Sequence, residues 1–257
     1  MIGIIGAGNM GKAIAVRLKD LLIISDTDPK KLRAIKNRSA ETTDCNVELV
    51  KRSDTVILAV KPQSIKEVLL EIKPYIKNKL VISIAAGVTT NAIERILGKA
   101  RVIRVMPNMP SMVGKGISAV SRGRFSKSRD INVARKIFSK VGEVVVVKED
   151  KLDAVTALSG SGPAYYFLFT DLLEKAGVSI GLNKDLAKKL ALATFFGSAE
   201  VAKASKLSME EFVQKVASKG GTTEAALKIF KKKALERTIK EALISAFNRS
   251  KALSKLY

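Results

Sequence analysis

The fold is decided by the first eleven residues, Met1-Ile2-Gly3-Ile4-Ile5-Gly6-Ala7-Gly8-Asn9-Met10-Gly11. An apolar run predicts a buried strand, the G-x-G-x-x-G pattern follows, and residues 12–18 have helical spacing. Gly6 allows a tight turn, Gly8 lets a pyrophosphate approach the backbone, and Gly11 lets the helix pack on the strand. The helix N-terminus faces the phosphates. This order predicts a dinucleotide-binding domain, and a glycine-rich turn without a ligand is the alternative.

Composition excludes several other kinds of site. The chain has 257 residues, 47% of them apolar, so it can bury the core of one large or two ordinary domains. No apolar run reaches the roughly 18–20 residues of a membrane span, and no leader peptide is expected. Cys45 is the only cysteine, which excludes an internal disulfide and favours the cytoplasm. Because there is no histidine and no cysteine cluster, we expect no metal and no Ser-His or Cys-His nucleophile.

The formal net charge of +22 first suggests a nucleic-acid-binding protein. However, Lys and Arg are spread along the chain, and no aromatic residues alternate with a basic stripe. The densest run, Lys231-Lys232-Lys233, is typical of a solvated helix end. We therefore expect no nucleic-acid partner and no membrane partner, whereas an anionic cofactor and an anionic substrate would be attracted.

Apolar strands alternate with helices through the first 150 residues, which is typical of a parallel sheet covered on both faces. Asp28 is the expected N-cap of a helix that starts at Pro29, and Thr89 the cap of a later helix. The predicted strands are residues 1–5, 21–26, 55–60, 80–85, 102–106, 116–120 and 144–147. The predicted helices are residues 12–18, 29–38, 62–76, 89–97 and 128–141. We therefore predict an α/β fold with a dinucleotide-binding domain over residues 1–149.

Only helices are predicted after Lys148, which places a domain boundary between residues 149 and 150. These helices are residues 152–158, 163–176, 184–204, 209–217, 223–230 and 235–256. Several are apolar on more than one face, and such helices need more cover than one small domain provides. We therefore expect an all-α dimerisation domain over residues 150–257, with a small monomeric bundle as the alternative.

Asp26 bears on the choice of cofactor, because it follows the second strand, 20 residues after Gly6. A carboxylate at this position accepts hydrogen bonds from the ribose hydroxyls, which favours NADH. Ser25 and Thr27 could instead bond to a 2′-phosphate, with the lysines at positions 30 and 31 nearby, which favours NADPH. Both cofactors stay open, and Asp26 could also be an acid that merely precedes a helix.

Three further segments are expected where strands end and the helical half begins, the position at which open α/β sheets bind ligands. The turns 59–63 and 85–89 follow predicted strands, and small residues in the second would let a flat ring approach the backbone. Two prolines hold Asn108 in a rigid turn. Residues 218–223 place two glycines and two threonines at a helix start, which can bind an anion. The alternatives are ordinary loops for the turns 59–63 and 85–89, a plain rigid turn around Asn108, and an N-cap for residues 218–223.

Six stretches of the chain together resemble one family, pyrroline-5-carboxylate reductase. They are IGAGNMGKAI (5–14), VILAVKPQ (56–63), VISIAAGVTT (81–90), RVMPNMP (104–110), DAVTALSGSGPAY (153–165) and GGTTEAAL (220–227). The stretches extend over the whole chain in the family's order. The last two are far more specific than the glycine motif.

The resemblance implies the last step of proline biosynthesis. A hydride passes from C4 of the reduced nicotinamide of NADPH or NADH to the C5 imine carbon of 1-pyrroline-5-carboxylate, which gives L-proline. The resemblance also implies a Rossmann domain and a helical domain that interlocks with a second copy in a homodimer, with several dimers often forming a ring. The substrate would lie between the nicotinamide and the glycine–threonine turn of the helical domain.

Site residues carry over from the family to the matching positions. The cofactor-binding positions that carry over are Gly6, Gly8, Asn9, Met10, Asn46, Val60, Lys61, Pro62, Ala85, Ala86, Gly87 and Asn108. The glycine motif and the end of the second strand add Gly11, Ser25 and Asp26. The substrate-binding positions are Val216, Ser218, Gly221, Thr222 and Thr223. The N–H groups from Gly221 to Thr223 would bind the substrate carboxylate, and the Thr223 hydroxyl would relay a proton as the catalytic group.

This chemistry agrees with the absence of histidine, because a cyclic imine is basic enough to need no dedicated acid. Two positions depart from the family pattern. Met109 replaces the usual threonine, which puts a polar contact near the nicotinamide in doubt. Lys219 replaces the usual proline, so a cation stands beside the substrate turn and either assists the carboxylate or points to solvent.

Other functions compete with this interpretation. A related imine reductase or a β-hydroxyacid dehydrogenase has the same architecture, but those dehydrogenases use a lysine as acid. Here the segment 159–163 is followed by no lysine before Lys175. From another class, a basic nucleic-acid-binding protein could retain a Rossmann domain, and a phosphate-binding scaffold protein is a more remote alternative.

Overall fold

The computed structural model describes residues 1–18, 21–35 and 39–254. These residues form two compact units. The first unit contains Met1–Ser161 and the described residues from Ser245 onward, and the helical unit is Gly162–Ile244. The chain thus passes between the units after Ser161, whereas the domain boundary at residues 149 and 150 stays a prediction from sequence.

An eight-stranded sheet forms the centre of the first unit. Its strands are β1 (Ile2–Ile5), β2 (Leu22–Ser25), β3 (Ala40–Thr43), β4 (Thr55–Leu58), β5 (Leu80–Ser83), β6 (Arg101–Met106), β7 (Gly116–Arg122) and β8 (Gly142–Val146). Their order across the sheet is β3-β2-β1-β4-β5-β6-β7-β8. The first six strands are parallel, β7 is antiparallel to β6, and β8 is parallel to β7. The order reverses at β1, so a ligand crevice is expected at the carboxyl ends of β1 and β4.

Seven α-helices accompany this sheet within the described part of Met1–Ser161. They are α1 (Asn9–Arg17), α2 (Pro29–Arg33), α3 (Asn46–Arg52), α4 (Ile65–Ile72), α5 (Thr90–Leu97), α6 (Ser128–Phe138) and α7 (Leu152–Val155). Both predicted caps are confirmed, because the Lys30 N–H donates to Asp28 Oδ1 at 2.9 Å and the Ala92 N–H donates to Thr89 Oγ1 at 3.1 Å. A π-helical segment, Thr156–Gly160, follows α7.

Apolar side chains cover both faces of the sheet. On one face, α3, α4 and α5 contribute buried residues such as Leu49, Leu69 and Ile93. On the other face, α1 and α6 contribute residues such as Ile14 and Phe138. Each fully buried aliphatic or aromatic side chain contributes about 1.5–3 kcal/mol of transfer free energy. The α/β fold predicted for the first half is confirmed.

The structure also contains elements that the sequence analysis did not identify. β3 and α3 occupy a stretch without a prediction, because β3 is a half-exposed edge strand of only four residues, AETT. The helix predicted over residues 29–38 ends at Arg33, and its last three residues lie outside the described chain. The antiparallel β7 departs from a uniformly parallel sheet.

The helical unit contains α8 (Gly162–Ser179), α9 (Lys184–Lys203), α10 (Met209–Val216), α11 (Thr222–Lys232) and the first half of α12 (Leu235–Ser254). α8 and α9 pack against each other, and the rings of Tyr166 and Phe195 lie 5.3 Å apart. The described residues of α8 to α11 that are buried are Gly162, Pro163 and Ala187. This unit therefore leaves most of its apolar side chains uncovered. The all-α character of this half is confirmed, and residues 255 and 256 of its last predicted helix lie outside the described chain.

The described residues contain neither a membrane-spanning helix nor a cluster of metal-binding side chains. None of the helices is both long and apolar enough to cross a membrane. No group of three or more His, Cys, Asp or Glu side chains is placed to hold a metal ion.

Candidate active site

The glycine loop lies between β1 and α1, at the carboxyl end of β1. Gly6 has a φ of 104°, and a Cβ there would lie 2.7 Å from the carbonyl oxygen of Ala59. A Cβ on Gly11 would collide with the carbonyl oxygen of Gly6. Both glycines are therefore needed for the close packing of this loop.

Gly8 has a different environment, because no heavy atom lies within 4 Å of a Cβ placed on it. It is the N-cap of α1, and no side chain caps this helix. The N–H groups of Asn9 and Met10 in the first turn therefore have no intrahelical acceptor. Open space beside an uncapped helix N-terminus fits a pyrophosphate, so these residues suit a dinucleotide. Their part in cofactor binding stays a prediction.

The carboxylate of Asp26 is already engaged by the first unit. Its Oδ2 accepts from the Ala7 N–H at 2.8 Å, and its Oδ1 accepts from the Asp28 N–H at 2.9 Å and from Lys31 Nζ at 3.2 Å. Burial raises the pKa of the Asp26 carboxyl, but these hydrogen bonds and the Lys31 charge outweigh it, so the pKa lies below the ordinary 3.8. Asp26 is therefore ionised at neutral pH and ties the glycine loop to the turn after β2.

Ser25 and Asn46 form a second polar contact beside this loop. The buried Ser25 hydroxyl donates to Asn46 Oδ1 at 2.7 Å, and Asn46 Nδ2 donates to Glu71 Oε2 at 2.7 Å. Both ends of the Asn46 amide are thus occupied. The structure brings two predicted cofactor residues into contact with each other and does not leave the Ser25 hydroxyl open to a ligand.

The two predicted turns after β4 and β5 lie at the same edge of the sheet as the glycine loop. After β4, Lys61 is exposed, while Val60 and Pro62 are half-buried. After β5, Gly87 adopts a φ of 78°, and a Cβ there would lie 3.2 Å from Cβ of Leu253 at the end of α12. The narrow gap explains a glycine at position 87, next to the buried Ala85 and the half-buried Ala86.

Asn108 links two segments that the sequence analysis treated separately. Its Oδ1 accepts from the Ile117 N–H at 2.9 Å, and its Nδ2 is 3.3 Å from Ser159 Oγ in the π-helical segment. A Cβ on Gly160 would lie 2.5 Å from the terminal methyl of Met106. The amide of Asn108 therefore holds the end of β6 against the segment 159–160. Met109, the neighbouring departure from the family pattern, is exposed.

The predicted substrate turn lies in the helical unit, at the N-terminus of α11. Gly221 is the N-cap, and no side chain caps the helix. The Gly221 N–H donates to Ser218 O at 3.0 Å and the Ala225 N–H to Gly221 O at 3.2 Å, so the open donors of the turn include the N–H groups of Thr222 and Thr223. The Thr223 side chain is half-buried, and Lys219 is exposed. Binding of substrate by Val216, Ser218 and the residues from Gly221 to Thr223 stays a prediction.

Three residues that the sequence analysis did not select support these sites. Ser159 and Leu253 contact Asn108 and the Gly87 turn, over sequence separations that carry no local signal. Glu224 accepts from the Gly220 N–H at 2.8 Å and holds the glycine turn, in which Gly220 has a φ of 73°. An acidic residue in the first turn of a helix was the available signal for Glu224.

Comparisons with known proteins cover almost the entire chain. A family model described as pyrroline-5-carboxylate reductase dimerisation matches residues 149–253, and one described as NADP oxidoreductase coenzyme F420-dependent matches residues 1–87. The pyrroline-5-carboxylate reductase of Pisum sativum is 35% identical over 261 residues, which covers 98% of this chain and 96% of that protein. The chain belongs to the pyrroline-5-carboxylate reductase family.

Solved structures of the family agree with this membership. A pyrroline-5-carboxylate reductase from Coxiella burnetii superimposes with a TM-score of 0.92 at 38% identity, covering 98% of both chains. The pyrroline carboxylate reductase of Plasmodium falciparum, determined with NADP bound, gives a TM-score of 0.89 at 33% identity, covering 98% of this chain and 97% of that one. The predicted resemblance and fold class are therefore confirmed, and the C-terminal half matches the family's dimerisation domain.

Proposed function

We propose that this chain reduces 1-pyrroline-5-carboxylate to L-proline, the last step of proline biosynthesis, with NADH or NADPH as the reductant. The observation that carries the proposal is the 35% identity to a pyrroline-5-carboxylate reductase over nearly the full length of both proteins. The same similarity favours this oxidoreductase activity over a β-hydroxyacid dehydrogenase, another imine reductase or a nucleic-acid-binding protein.

The first unit supplies residues that fit the cofactor. When bound, the reduced nicotinamide supplies the hydride. We assign the pyrophosphate to the open space at Gly8 and to the N–H groups of Asn9 and Met10, because this helix end has no cap of its own. The ionised carboxylate of Asp26 suits the ribose hydroxyls of NADH and repels the 2′-phosphate of NADPH. The Ala85–Gly87 turn is assigned to the nicotinamide.

The helical unit supplies donors for the substrate carboxylate. The N–H groups of Thr222 and Thr223 begin α11 without a side-chain cap, and the helix dipole adds positive potential there. We assign the substrate carboxylate to these two donors, which orient the ring. The Thr223 hydroxyl would relay a proton from water to the imine nitrogen, and the bound reduced nicotinamide would supply the hydride, from its C4–H bond, to the imine carbon.

We further propose a homodimer that covers the exposed helices, and a ring of such dimers as the larger assembly. The apolar faces of α8 and α9 support a second copy, because large exposed apolar patches mark interaction surfaces. A location in the cytoplasm is proposed from the single cysteine, Cys45, which suits a reducing compartment. The proposed domains remain residues 1–149 and 150–257.

The direct test is to follow oxidation of NADH and of NADPH separately with 1-pyrroline-5-carboxylate, and to identify proline as the product. In Thr223→Ala, kcat should fall about 100-fold while the Kd of the cofactor stays unchanged, since general acid–base groups contribute about 10²–10⁴-fold. The matched control is Thr238→Ala, which removes a hydroxyl of α12 that donates to the carbonyl oxygen of Ala234, the residue before that helix. It should keep wild-type turnover.

Two results would contradict the proposal in different ways. Oxidation of neither cofactor by the wild-type chain would overturn the activity itself. Full turnover in Thr223→Ala would overturn only the role of its hydroxyl and leave the activity in place.

A further inference from the structure

A basic groove lies at the amino-terminal ends of β5 and β6, the opposite edge of the sheet from the glycine loop. The groove has a volume of about 620 Å³ and is lined by three segments of the first unit. Its lining residues are Lys73, Ile76, Lys77, Asn78, Lys79, Leu97, Lys99, Ala100, Arg101, Lys127 and Arg129. Its volume is within the range of about 300–1,000 Å³ typical of small-molecule sites.

The charge of this groove exceeds that of the already basic chain. Seven of its eleven lining residues are Lys or Arg and none is Asp or Glu, whereas 46 of all 257 residues are Lys or Arg. The excess indicates a local concentration of positive charge rather than an even spread. A concave surface lined by one sign of charge focuses the electrostatic potential and attracts ions of the other sign.

Most of these cations are not neutralised by neighbouring groups. Lys79 Nζ donates to the carbonyl oxygens of Lys51 and Ser53, and Arg101 pairs with Asp130 Oδ1 at 3.4 Å. The buried Nε of Arg101 has no hydrogen-bond partner within the described chain.

Five further side chains of the groove are exposed and have no acidic partner among the described residues. They are Lys73, Lys77, Lys99, Lys127 and Arg129. Like charges that line one groove repel one another, so an anion that bridges them would stabilise the fold.

The shape and floor of the groove indicate the kind of anion. Ile76, Leu97 and Ala100 are buried beneath the charged rim, and no aromatic side chain lines the groove. Single-stranded nucleic acids bind to grooves in which aromatic side chains stack on successive bases. A small anion with several charges fits best.

We propose that this groove binds a small oligophosphate, with the phosphate chain bridging cations from the 73–79, 99–101 and 127–129 segments. Inorganic triphosphate and a nucleoside triphosphate share this chemistry. The site is separate from the proposed cofactor site and from the proposed reductase activity, and it would remain if either were wrong.

Calorimetric titration with inorganic triphosphate, and separately with ATP, tests the proposal at about 0.15 M salt, where distant charges are screened. Each titration is carried out both without NADH and with saturating NADH. Lys77→Glu/Lys99→Glu should weaken triphosphate binding at least about tenfold, because it reverses two of the bridging charges. The matched control is Arg135→Glu/Lys140→Glu, which makes the same change in net charge at exposed positions outside the groove. It should change the Kd less than about twofold.

The two ligands distinguish the sources of the anion. Equal affinity assigns recognition to the phosphate chain alone, and tighter ATP binding adds contacts of the nucleoside with the apolar floor. If the glutamate variant does not fold by circular dichroism, the neutral variant Lys77→Gln/Lys99→Gln replaces it, with the same expected direction.

Four results would overturn the site. The first is the absence of saturable triphosphate binding at this salt concentration, and the second is an equal loss of triphosphate affinity in the groove and control variants. The third is displacement of triphosphate by NADH, and the fourth is tighter binding of a single-stranded oligonucleotide than of triphosphate. The second result would mean that triphosphate affinity depends only on the net charge of the chain. The third would place triphosphate in the cofactor site.

Discussion

The two units of this chain treat their apolar side chains in opposite ways. In the first unit, α4 buries Ile65, Val68, Leu69 and Ile72 against the sheet and exposes its polar face. In the helical unit, α9 has 20 residues, of which Ala187 is the buried one. The first unit therefore buries a core within one chain. The helical unit has the composition of a core but not its burial, which is expected when a second copy supplies the cover.

The largest effect should come from a charge on an apolar face of the helical unit. Leu192 on α9 is 56% exposed and Leu70 on α4 is 54% exposed, so the two residues match in type and exposure. Leu192→Asp should convert the dimer to monomers and abolish activity, because it places an unpaired carboxylate in an apolar interface. Sedimentation velocity measures the assembly.

Leu70→Asp is the matched control and should leave assembly and turnover unchanged. If both variants stay dimeric, α9 does not form the interface. If both dissociate, the contrast between the two units is wrong.

Gly11 and Gly8 of the first unit differ in the space around them, and the second prediction uses this difference. A Cβ on Gly11 would strike the carbonyl oxygen of Gly6, whereas a Cβ on Gly8 would meet no atom. Gly11→Ala should therefore destabilise the fold by about 1–3 kcal/mol, the usual cost of overpacking. Gly8→Ala should keep the wild-type Tm and weaken NADH binding at least about tenfold, since an added methyl occupies the proposed phosphate space.

Thermal unfolding and fluorescence titration with NADH separate these two effects. A large loss of Tm in Gly8→Ala would mean that the loop needs this glycine for folding. Unchanged NADH binding in that variant would remove Gly8 from the proposed cofactor site.

Local signals predicted the first unit well, because each was tied to a backbone requirement. The first N–H groups of a helix need a hydrogen-bond acceptor, and Asp28 and Thr89 were predicted to provide one. Both residues cap their helices. Ile65, Val68 and Leu69 recur at helical spacing within the predicted helix 62–76, and they form the buried face of α4. β3 was not predicted, because a four-residue edge strand with two exposed residues has no periodic pattern of apolar residues.

The direction of β7 was available from the sequence but was not used. A parallel crossover needs about a dozen or more residues, usually a helix, whereas β6 and β7 are joined by a short segment with one 3₁₀ turn at Met109–Val113. The contacts of Asn108 with Ser159 and of Gly87 with Leu253 had no local signal, because they depend on how distant segments pack. The arrangement of the candidate site could therefore be predicted only in part.

The third prediction concerns the ribose end of the cofactor crevice. The pKa of Asp26 lies below its ordinary value, so its carboxylate is charged at neutral pH and repels a 2′-phosphate. Asp26→Asn removes this charge at nearly constant shape. The ratio of the Kd for NADPH to that for NADH should fall about tenfold, a change of about 1.4 kcal/mol.

Calorimetric titration with each cofactor measures this ratio without turnover. The matched control is Asp44→Asn, an exposed carboxylate on the loop before α3. A ratio that stays constant in Asp26→Asn, or that shifts equally in both variants, would show that Asp26 serves only to hold the Ala7 and Asp28 N–H groups.

The smallest effect should come from a buried carboxyl of the first unit. Glu94 on α5 is 7% exposed, and its Oε1 accepts from the Phe125 N–H at 3.5 Å. Burial raises the pKa of Glu94 above the ordinary 4.5, and the Glu149 carboxylate adds to this, although the N–H groups of Phe125 and Arg124 act against it. The folded chain therefore binds this proton more tightly than the unfolded chain does.

It follows that Glu94 contributes stability below pH 4.5, and that this contribution is lost as the pH rises through the raised pKa of the folded state. Glu94→Gln stays neutral and can still accept from the Phe125 N–H, so its free energy of unfolding should decline less over this window. Urea denaturation at fixed protein concentration measures the difference from wild type at each pH. The control Glu67→Gln removes an exposed carboxylate of α4. Its free energy of unfolding should deviate from that of the wild type, across this pH window, less than that of Glu94→Gln does. Parallel pH profiles for wild type and Glu94→Gln would mean that burial of this carboxyl has no energetic consequence.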